Sequence, residues 1–552
     1  MRSEHSIKIG PTKRHDETTR RRYAAHQVYV IRSAMLKRLI PVLLASVAFA
    51  QDPIITNVYG LVPYLTPGTG PSPGSRAEIQ GSNFATGPAS KVTVIVSGKV
   101  AYVVGSDAYG IDAEIPSEIP SGPTTLIVTV DGRTSAPFNI TLETYAPGIA
   151  SCAGTSLCNY GSFLNSKGLW TSPSLPARPG DALLAMALGL GPTNPPTPTG
   201  PAPSARPTAS PVTVTIGGTP GALGGPPVGG IGAEVSFAGL ALGAIGFFDL
   251  NFKVPSGVQG TQPVYVTVGG KTSGPVNIPL FGVGSVVSNA SFGSAGRAAP
   301  GSIVSVFANG LGATDQLSGF PATTFQGVSV SFNGILAPLF HLSAGSGQID
   351  LIVPSELPEA GTVTVQLATP SGGSSYPLTM APAVPAFYRI ADPFKPSRLN
   401  VIAQFSGTAW LAMPASMASA LNLKGDCTAR KESPSAACAQ PAAPGDYLVL
   451  YITGLGKTTP DGDPNGTPLA TGVSPPASGS VLYKTVASPS VTMAGIQAKV
   501  LYSGLAPGFA GLYQVDVQVP NGITPGDDIP LILTLPSGAS DSAVTLAVQP
   551  RP

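Results

Sequence analysis

One pattern recurs four times along the 552-residue chain and limits what the chain can fold into. Each copy opens with Pro-Gly followed by Ser or Asp and an apolar alternating run, and it later contains a strand that ends in a hydrophobic residue and Pro. The four openings are Pro73-Gly74-Ser75, Pro179-Gly180-Asp181, Pro300-Gly301-Ser302 and Pro444-Gly445-Asp446. The four hydrophobic-Pro steps are Ile115-Pro116, Val254-Pro255, Val353-Pro354 and Val519-Pro520.

The alternating runs are rich in Val, Thr, Ile and Tyr and are separated by Gly/Pro turns, which is typical of antiparallel β-sandwiches. With 67 Gly, 59 Pro and only 11% charged residues, against about 25% in an average soluble protein, the composition also favours short strands over helices. We therefore predict an all-β chain of tandem immunoglobulin-like β-sandwiches, four modules in two pairs. The predicted modules 1 to 4 span 51–144, 145–283, 284–380 and 381–552, and module 2 carries a Pro-rich loop from Gly191 to Pro211.

Residues 1–50 are predicted to be a leader. Within them, residues 35–50 contain a basic start, an apolar run and the small-residue cleavage site Ala48-Phe49-Ala50, which together indicate a secretory signal peptide. Met35 is the expected start, and 1–34 is then a mis-called extension. A long natural basic region or a nucleic-acid-binding arm are the alternatives.

The leader predicts a secreted or cell-surface protein. The chain after residue 50 is mildly acidic, so nucleic-acid binding is not expected. It has no apolar run of the about 20 residues that a membrane span needs. Four cysteines remain, and in an exported protein an even number favours disulfides. Their closeness in sequence predicts the pairs Cys152–Cys158 and Cys427–Cys438.

Several ordered strings in the second half of the chain carry a family resemblance. They are Val286-Val-Ser-Asn-Ala-Ser-Phe292, Ala299-Pro-Gly-Ser-Ile-Val-Ser-Val-Phe307, Gly347-Gln-Ile-Asp-Leu-Ile-Val-Pro354, Tyr451-Ile-Thr-Gly-Leu-Gly456 and the run from Gly504 to Pro520. With them, residues 286–549 resemble the uncharacterised C-terminal domain family of secreted, Solibacter-type acidobacterial proteins. Residues 51–283 resemble a diverged second copy, and the single modules resemble IPT/TIG-type immunoglobulin-like domains. The resemblance implies the fold and an extracellular location, and it implies no activity.

Candidate catalytic residues are scarce. His341 is the only histidine after the leader, it lies in an alternating run, and no Gly-x-Ser-x-Gly motif exists, so we predict a strand histidine and no histidine-dependent catalysis. Four residues stand four positions before the hydrophobic-Pro steps: Asp112, Asn251, Asp350 and Asp516. Their recurrence favours a structural role, hydrogen-bonding the backbone of a neighbouring loop, over ligand contact.

Two irregular stretches, one before each Pro-Gly-Asp opening, contain the candidate ligand contacts Trp170, Trp410, Tyr160 and Tyr388. Exposed aromatic rings on a sandwich loop can stack on sugars, whereas the alternative is that they cover the open end of the sandwich. Asp461, Asp463 and Asn465 resemble the opening of a calcium loop, but Gly472 stands where a bidentate Glu is needed. They are a weak calcium site or a plain turn, and no other cofactor is predicted.

The sequence thus predicts an exported, non-catalytic binding or structural protein of the cell exterior, with a polysaccharide or a surface protein as its partner. The alternative class is a carboxylate-based hydrolase, or an accessory subunit of an extracellular glycan-degrading enzyme.

Overall fold

A computed structural model describes residues 51–550, except 62–69, 85–89, 152–159, 223–224, 464 and 541–543. The predicted leader and the Cys152–Cys158 pair lie outside the described residues. Asp52–Pro552 forms one compact unit. Its described residues contain 44 strands and one short helix, so the predicted all-β fold is confirmed.

Four clusters of buried hydrophobic side chains follow one another along the chain, at 77–142, 149–280, 283–380 and 383–548. Strand alternation explains them, because successive side chains point to opposite faces of a sheet. In the strand Val92–Val96, for example, Val94 and Val96 are fully buried while Ile95 between them is not. We keep the names modules 1 to 4 for the segments around these cores.

Module 1 packs a four-stranded sheet, in the order β1-β2-β6-β5, against a five-stranded sheet in which β7 pairs with β3, β8 and β9 and β3 also pairs with β4. The strands β1 to β9 are Ile54–Gly60, Arg76–Ser82, Val92–Val96, Lys99–Val100, Tyr102–Ser106, Gly110–Glu114, Gly122–Val130, Arg133–Thr134 and Phe138–Leu142.

Module 2 has the same two layers, but its ten-residue strand β15 pairs into both of them and joins them into one ten-stranded sheet. Its strands β10 to β19 are Gly148–Ile149, Phe163–Asn165, Ala182–Leu188, Arg206–Pro207, Val212–Ile216, Ile231–Leu240, Phe248–Lys253, Gly260–Val268, Lys271–Thr272 and Val276–Leu280.

Module 3 repeats module 1 with two separate five-stranded sheets, β20-β22-β27-β26-β23 and β21-β29-β28-β24-β25. Its strands β20 to β29 are Gly282–Ser288, Arg297–Ala298, Ile303–Asn309, Gln316–Ala322, Ser329–Phe332, Ile335–Leu336, Leu339–Ser343, Gln348–Ile352, Gly361–Thr369 and Gly372–Met380.

Module 4 repeats module 2, since its ten-residue strand β40 also joins two layers, and it adds the helix α1, Ala415–Ala420. Its strands β30 to β44 are Ala386–Phe387, Arg389–Ala391, Leu399–Val401, Ala403–Phe405, Leu411–Ala412, Ala439–Gln440, Tyr447–Thr453, Thr458–Pro460, Tyr483–Thr485, Ser490–Met493, Ile496–Leu505, Tyr513–Gln518, Gly526–Leu535, Gly538–Ala539 and Val544–Val548.

A β-bulge lies opposite the recurring Asx residue in every module. The strand beside the central strand carries one extra residue, and the Asx residue on the central strand pairs with the residue directly after the bulge. The pairs are Asp112 with Gly105, Asn251 with Phe237, Asp350 with His341, and Asp516 with Tyr502. The expected hydrogen bonds to loop backbone are wrong for the three aspartates, which accept from side chains on the sheet: Arg76, the Ser305–Gln348 pair, and Gln514.

The modules are joined as 1–2 and 3–4 by the same contact, which we call the threonine clasp. A long loop of the second module places one threonine on the Pro-Ser-Glu turn of the first. In pair 1–2 the Ser117 amide donates to Thr199 Oγ1 over 3.0 Å, and that hydroxyl donates to Glu118. In pair 3–4 the Ser355 amide donates to Thr471 Oγ1 over 2.7 Å, and that hydroxyl donates to Glu356 over 2.6 Å.

Candidate binding groove of module 4

The outer face of one layer of module 4 carries polar and aromatic side chains. In this layer β33 pairs with β36, β36 with β41, and β41 with β40. Leu448, Leu450, Val515 and Val517 point into the core, so the residues between them point outward. Pairing brings the outward residues into two neighbouring rows: Gln404, Val449, Asp516 and Tyr502 in one, Tyr451 and Gln514 in the other.

Two loops rise beside this face and turn it into an open groove of about 510 Å³. One is the turn after β33, and the other is part of the loop between Cys427 and Cys438. The residues that line the groove are all uncharged: Gln404, Phe405, Gly407, Thr408, Ala409, Pro434, Ser435, Val449, Tyr451 and Gln514.

Hydrogen bonds fix the floor of the groove. The Tyr451 hydroxyl donates to Gln404 Oε1 over 2.6 Å, and the Gln404 amide group donates to the Thr408 carbonyl. On the next strand Gln514 Nε2 donates to Asp516 Oδ1 over 3.1 Å. Because each amide already has one partner, its orientation is set before a ligand arrives, which reduces the entropy lost on binding.

The groove wall is tied to the disulfide loop. Cys427 and Cys438 form a disulfide. Two groups of the β33–β34 turn donate hydrogen bonds to the loop between these cysteines and hold it in place. The Ala409 amide donates to the Pro434 carbonyl over 2.6 Å, and Trp410 Nε1 donates to the Ser433 carbonyl over 3.0 Å. The irregular stretch before the Pro-Gly-Asp opening therefore builds the wall of the groove.

Burial raises the pKa values of the ionisable side chains in and beside the groove. Burial raises the pKa of Asp516 to about 6, although the hydrogen bond from Gln514 acts in the opposite direction. Burial and the negative charge of Asp516 both raise the pKa of Tyr451 above its usual value, and burial raises the pKa of Tyr502 to about 12. Both tyrosines are thus neutral hydrogen-bonding groups at every physiological pH.

The four predicted contact residues do not lie on the groove floor. Trp410 is half-buried, packs against the core of module 4 and stands behind the wall. Tyr388 is half-buried at the junction with module 3, where its hydroxyl donates to Asn289 Oδ1 over 3.2 Å. In module 2, Trp170 is 52% exposed on the hairpin after β11, and Tyr160 is half-buried beside Asn277.

The residues of the calcium hypothesis are engaged with the protein. Asp461 forms an ion pair with Lys484, with 2.9 Å between the carboxylate and the ammonium. Asp463 Oδ1 accepts from the Asn465 amide over 3.2 Å, so it serves its own turn. In the described part of the chain, no three His, Cys, Asp or Glu side chains cluster in a way that could hold a metal ion.

Ser305, His341 and Asp350 lie together in module 3 but in the wrong order for nucleophilic catalysis. Ser305 Oγ donates to Asp350 Oδ1 over 2.6 Å, and His341 Nδ1 lies 2.9 Å from Asp350 Oδ2. A triad needs the imidazole between the hydroxyl and the carboxylate, whereas here the carboxylate stands in the middle. His341 lies in strand β26, as predicted.

Sequence reasoning missed Gln404, Tyr451 and Gln514. They come from three strands, one of which, β33, has only three residues and lies in the stretch expected to be irregular. The one available signal was the alternation of the outward residues Tyr447, Val449 and Tyr451, which places two tyrosines on one face of a strand.

No family model and no curated protein matches the chain, so the resemblance to the Solibacter-type family stays a prediction. Among solved structures, SGBP-B from a complex xyloglucan utilization locus in Bacteroides uniformis is 14% identical, covers 60% of this chain and 97% of its own, with a TM-score of 0.18. SGBP-B of the Bacteroides ovatus mixed-linkage glucan utilization locus is 13% identical, with 60% and 70% covered and a TM-score of 0.14. The titin I9–I11 tandem is 8% identical, with 68% and 96% covered and a TM-score of 0.13. At such TM-scores these likenesses carry no argument about function. Among the described residues, no helix is long and apolar enough to cross a membrane.

Proposed function

We propose that this chain is an exported, non-catalytic glycan-binding protein and that the groove of module 4 is its binding site. The observation that carries the proposal is the groove floor, where a tyrosine and two amides lie on neighbouring strands and are each held by a hydrogen bond. A sugar presents hydroxyl groups around its rim and C–H groups on its faces. Amides can donate to and accept from the hydroxyls, and the ring of Tyr451 can contact an apolar face.

The shape of the groove supports a chain-like ligand. It is an open groove lined by the sheet and by residues of two loops, so a polymer can enter without threading its end. A protein partner would need a large apolar centre with aromatic anchors, and the ten lining residues offer only Phe405, Val449 and Tyr451 as large apolar groups.

The lining of the groove also lacks the two carboxyl groups that glycoside hydrolysis needs. Glycosidases place two carboxyl groups about 5 to 9.5 Å apart across the scissile bond. Asp516 is hydrogen-bonded to Gln514 of the floor, and no carboxylate is among the residues that line the groove. These features support binding over the hydrolase alternative.

Tyr451 is the residue whose loss tests the proposal most directly. Binding of the purified protein to soluble β-glucan, xylan and galactomannan would be measured by affinity electrophoresis and calorimetry. Tyr451→Ala is expected to weaken binding by about tenfold or more, the range of a buried aromatic anchor. Tyr451→Phe should weaken it less, because it keeps the ring and loses only the bond to Gln404.

Tyr447 provides a matched control, since it lies on the same strand and face but outside the groove, with 52% of its side chain exposed. Tyr447→Ala should bind like the unchanged protein, and melting curves would show that both alanine variants are folded. Equal losses for Tyr447→Ala and Tyr451→Ala would contradict the groove as the site. Release of shorter sugars from any polymer would contradict a non-catalytic role.

A further inference from the structure

The groove has an uncharged lining and a carboxylate beside it. The lining residues are uncharged, and the carboxylate of Asp516 stands beside them, one row from Tyr451 and hydrogen-bonded to Gln514 on the floor. Its charge reaches the groove, because it helps to raise the pKa of Tyr451. The groove therefore has a negative potential with no positive group in its lining.

No cation neutralises Asp516 in the described part of the chain. Its side chain accepts from Gln514, and it forms no ion pair there. Lys484 is paired with Asp461. Lys499 is exposed and lies opposite Gln518, two residues along β41 from Asp516.

We infer that the groove selects neutral glycans and rejects polyuronates, with Asp516 as the residue that determines this specificity. The inference rests on the proposed function. The carboxylate can accept a hydrogen bond from a hydroxyl of a neutral sugar, whereas a uronate in the same place would bring two negative charges together in a partly buried site. Repulsion of the wrong ligand is as effective for specificity as attraction of the right one.

The fold does not require a negative charge at the position of Asp516. The equivalent position in module 2 is Asn251, on the central strand opposite the same bulge. Asparagine is thus compatible with the backbone and the bulge at this place, so Asp516→Asn removes the charge and keeps the shape.

The test compares two polymers and three proteins. Galactomannan serves as the neutral probe and polygalacturonate as the acidic one, both at pH 7.5 in low salt, with the unchanged chain, Asp516→Asn and Asp527→Asn. The unchanged chain should bind the neutral polymer at least about tenfold more tightly, and Asp516→Asn should reduce that ratio about fivefold to tenfold. Asp527→Asn removes a charge from strand β42 of the same module and should leave the ratio unchanged. Added salt should weaken the discrimination of the unchanged chain.

Two results would overturn the specificity and leave glycan binding intact: polygalacturonate bound as tightly as the neutral polymer, or a ratio that Asp516→Asn does not change. Absence of binding to galactomannan, β-glucan, xylan and polygalacturonate alike would instead overturn the proposed function itself.

Discussion

Module pairs 1–2 and 3–4 have equivalent junctions, but the side chains at the centre of the junction are ionisable in pair 1–2 and apolar in pair 3–4. Both use the threonine clasp, and both pack the residue after the Pro-Gly-Ser opening against the residue before the hydrophobic-Pro step. In pair 3–4 these residues are Ile303 and Ile352, which are 6% and 2% exposed. In pair 1–2 they are Arg76 and Glu114. The same backbone junction thus accepts an apolar pair or an ionisable pair.

The ionisable junction is held by specific partners. Arg76 forms an ion pair with Asp112, and its guanidinium lies 4.6 Å from the centre of the Phe247 ring. Glu114 is 1% exposed and accepts from the Gly200 amide over 2.6 Å. It also borders a cavity of about 140 Å³ between modules 1 and 2. Burial lowers the pKa of Arg76 to about 10.

A loop of the second module packs on this junction in both pairs. A Cβ added to Gly511, in the loop before β41, would lie 3.1 Å from Ile352 and 3.2 Å from Ile303, and one added to Gly246, in the loop before β16, would lie 2.8 Å from Arg76. Charge at a buried junction carries a desolvation cost that apolar packing does not. The difference between the pairs should therefore appear in mutational cost and in pH dependence.

The chain provides a separate fluorescent reporter for each pair, because its two tryptophans, Trp170 and Trp410, lie in modules 2 and 4. Trp410→Phe leaves a chain whose fluorescence reports on pair 1–2, and Trp170→Phe leaves one that reports on pair 3–4. Urea unfolding of these two backgrounds gives the free energy of unfolding that each tryptophan reports.

The largest effect is expected when the cation is removed from pair 1–2. Arg76→Ile copies the residue of pair 3–4 but leaves Asp112 without its ion pair and Glu114 without its nearby cation. We expect a loss of about 3 kcal/mol in the free energy of unfolding reported by Trp170. Adding Glu114→Ile should recover part of it, because the second buried charge is then gone.

Ile303→Val is the control in the other pair, and it should cost about 1 kcal/mol by removing one buried methyl group, as reported by Trp410. If Arg76→Ile costs no more than Ile303→Val, the two junctions are energetically alike and the comparison fails.

A smaller and pH-dependent effect is expected at Glu114. Burial raises its pKa from 4.5 to about 7; the charge of Glu118 adds to this, while the Gly200 amide and Arg76 oppose it. Between these two values the folded state binds more protons than the unfolded state, so the free energy of unfolding falls as the pH rises. Glu114→Gln should match the unchanged chain at pH 5 and exceed it by about 2 kcal/mol at pH 8.

Ile352→Gln places the same amide at the equivalent position of pair 3–4. Whatever it costs, the cost should be the same at pH 5 and pH 8, because no ionisable group is replaced. A stability difference between Glu114→Gln and the unchanged chain that does not vary with pH would show that Glu114 titrates normally.

Local patterns were enough to predict the sandwich fold but not the functional surfaces. The Pro-Gly openings and hydrophobic-Pro steps mark strand ends, and the glycine that directly follows β12 and β36 also has a physical reason. Gly189 and Gly454 have φ of 64° and 78°, and a side chain there would collide with the carbonyls of Ala146 and Val384. A positive φ favours glycine at its own position, so such glycines can be found in the sequence.

The groove and the junctions depend on pairing between distant segments. Gln404 and Tyr451 are 47 residues apart when they share a hydrogen bond, and nothing local in either segment sets that register. The charged junction is easier to predict from the sequence than the groove. Comparison of modules 1 and 3 shows Arg76 at the place of Ile303 and Glu114 at the place of Ile352, and a charged residue where the first module of the other pair has an apolar one is a signal for a buried ionisable group.

The smallest effect is expected where the two pairs are alike. Thr199→Val and Thr471→Val each remove one acceptor for a serine amide and one donor to a glutamate. We expect a cost of about 1 kcal/mol for each, read from Trp170 for the first and from Trp410 for the second. Because the clasp has the same partners in both pairs, the two costs should agree within about 0.5 kcal/mol. A clear inequality would mean that the charged junction of pair 1–2 alters the clasp beside it, and the pairs would then differ in more than the two residues exchanged between them.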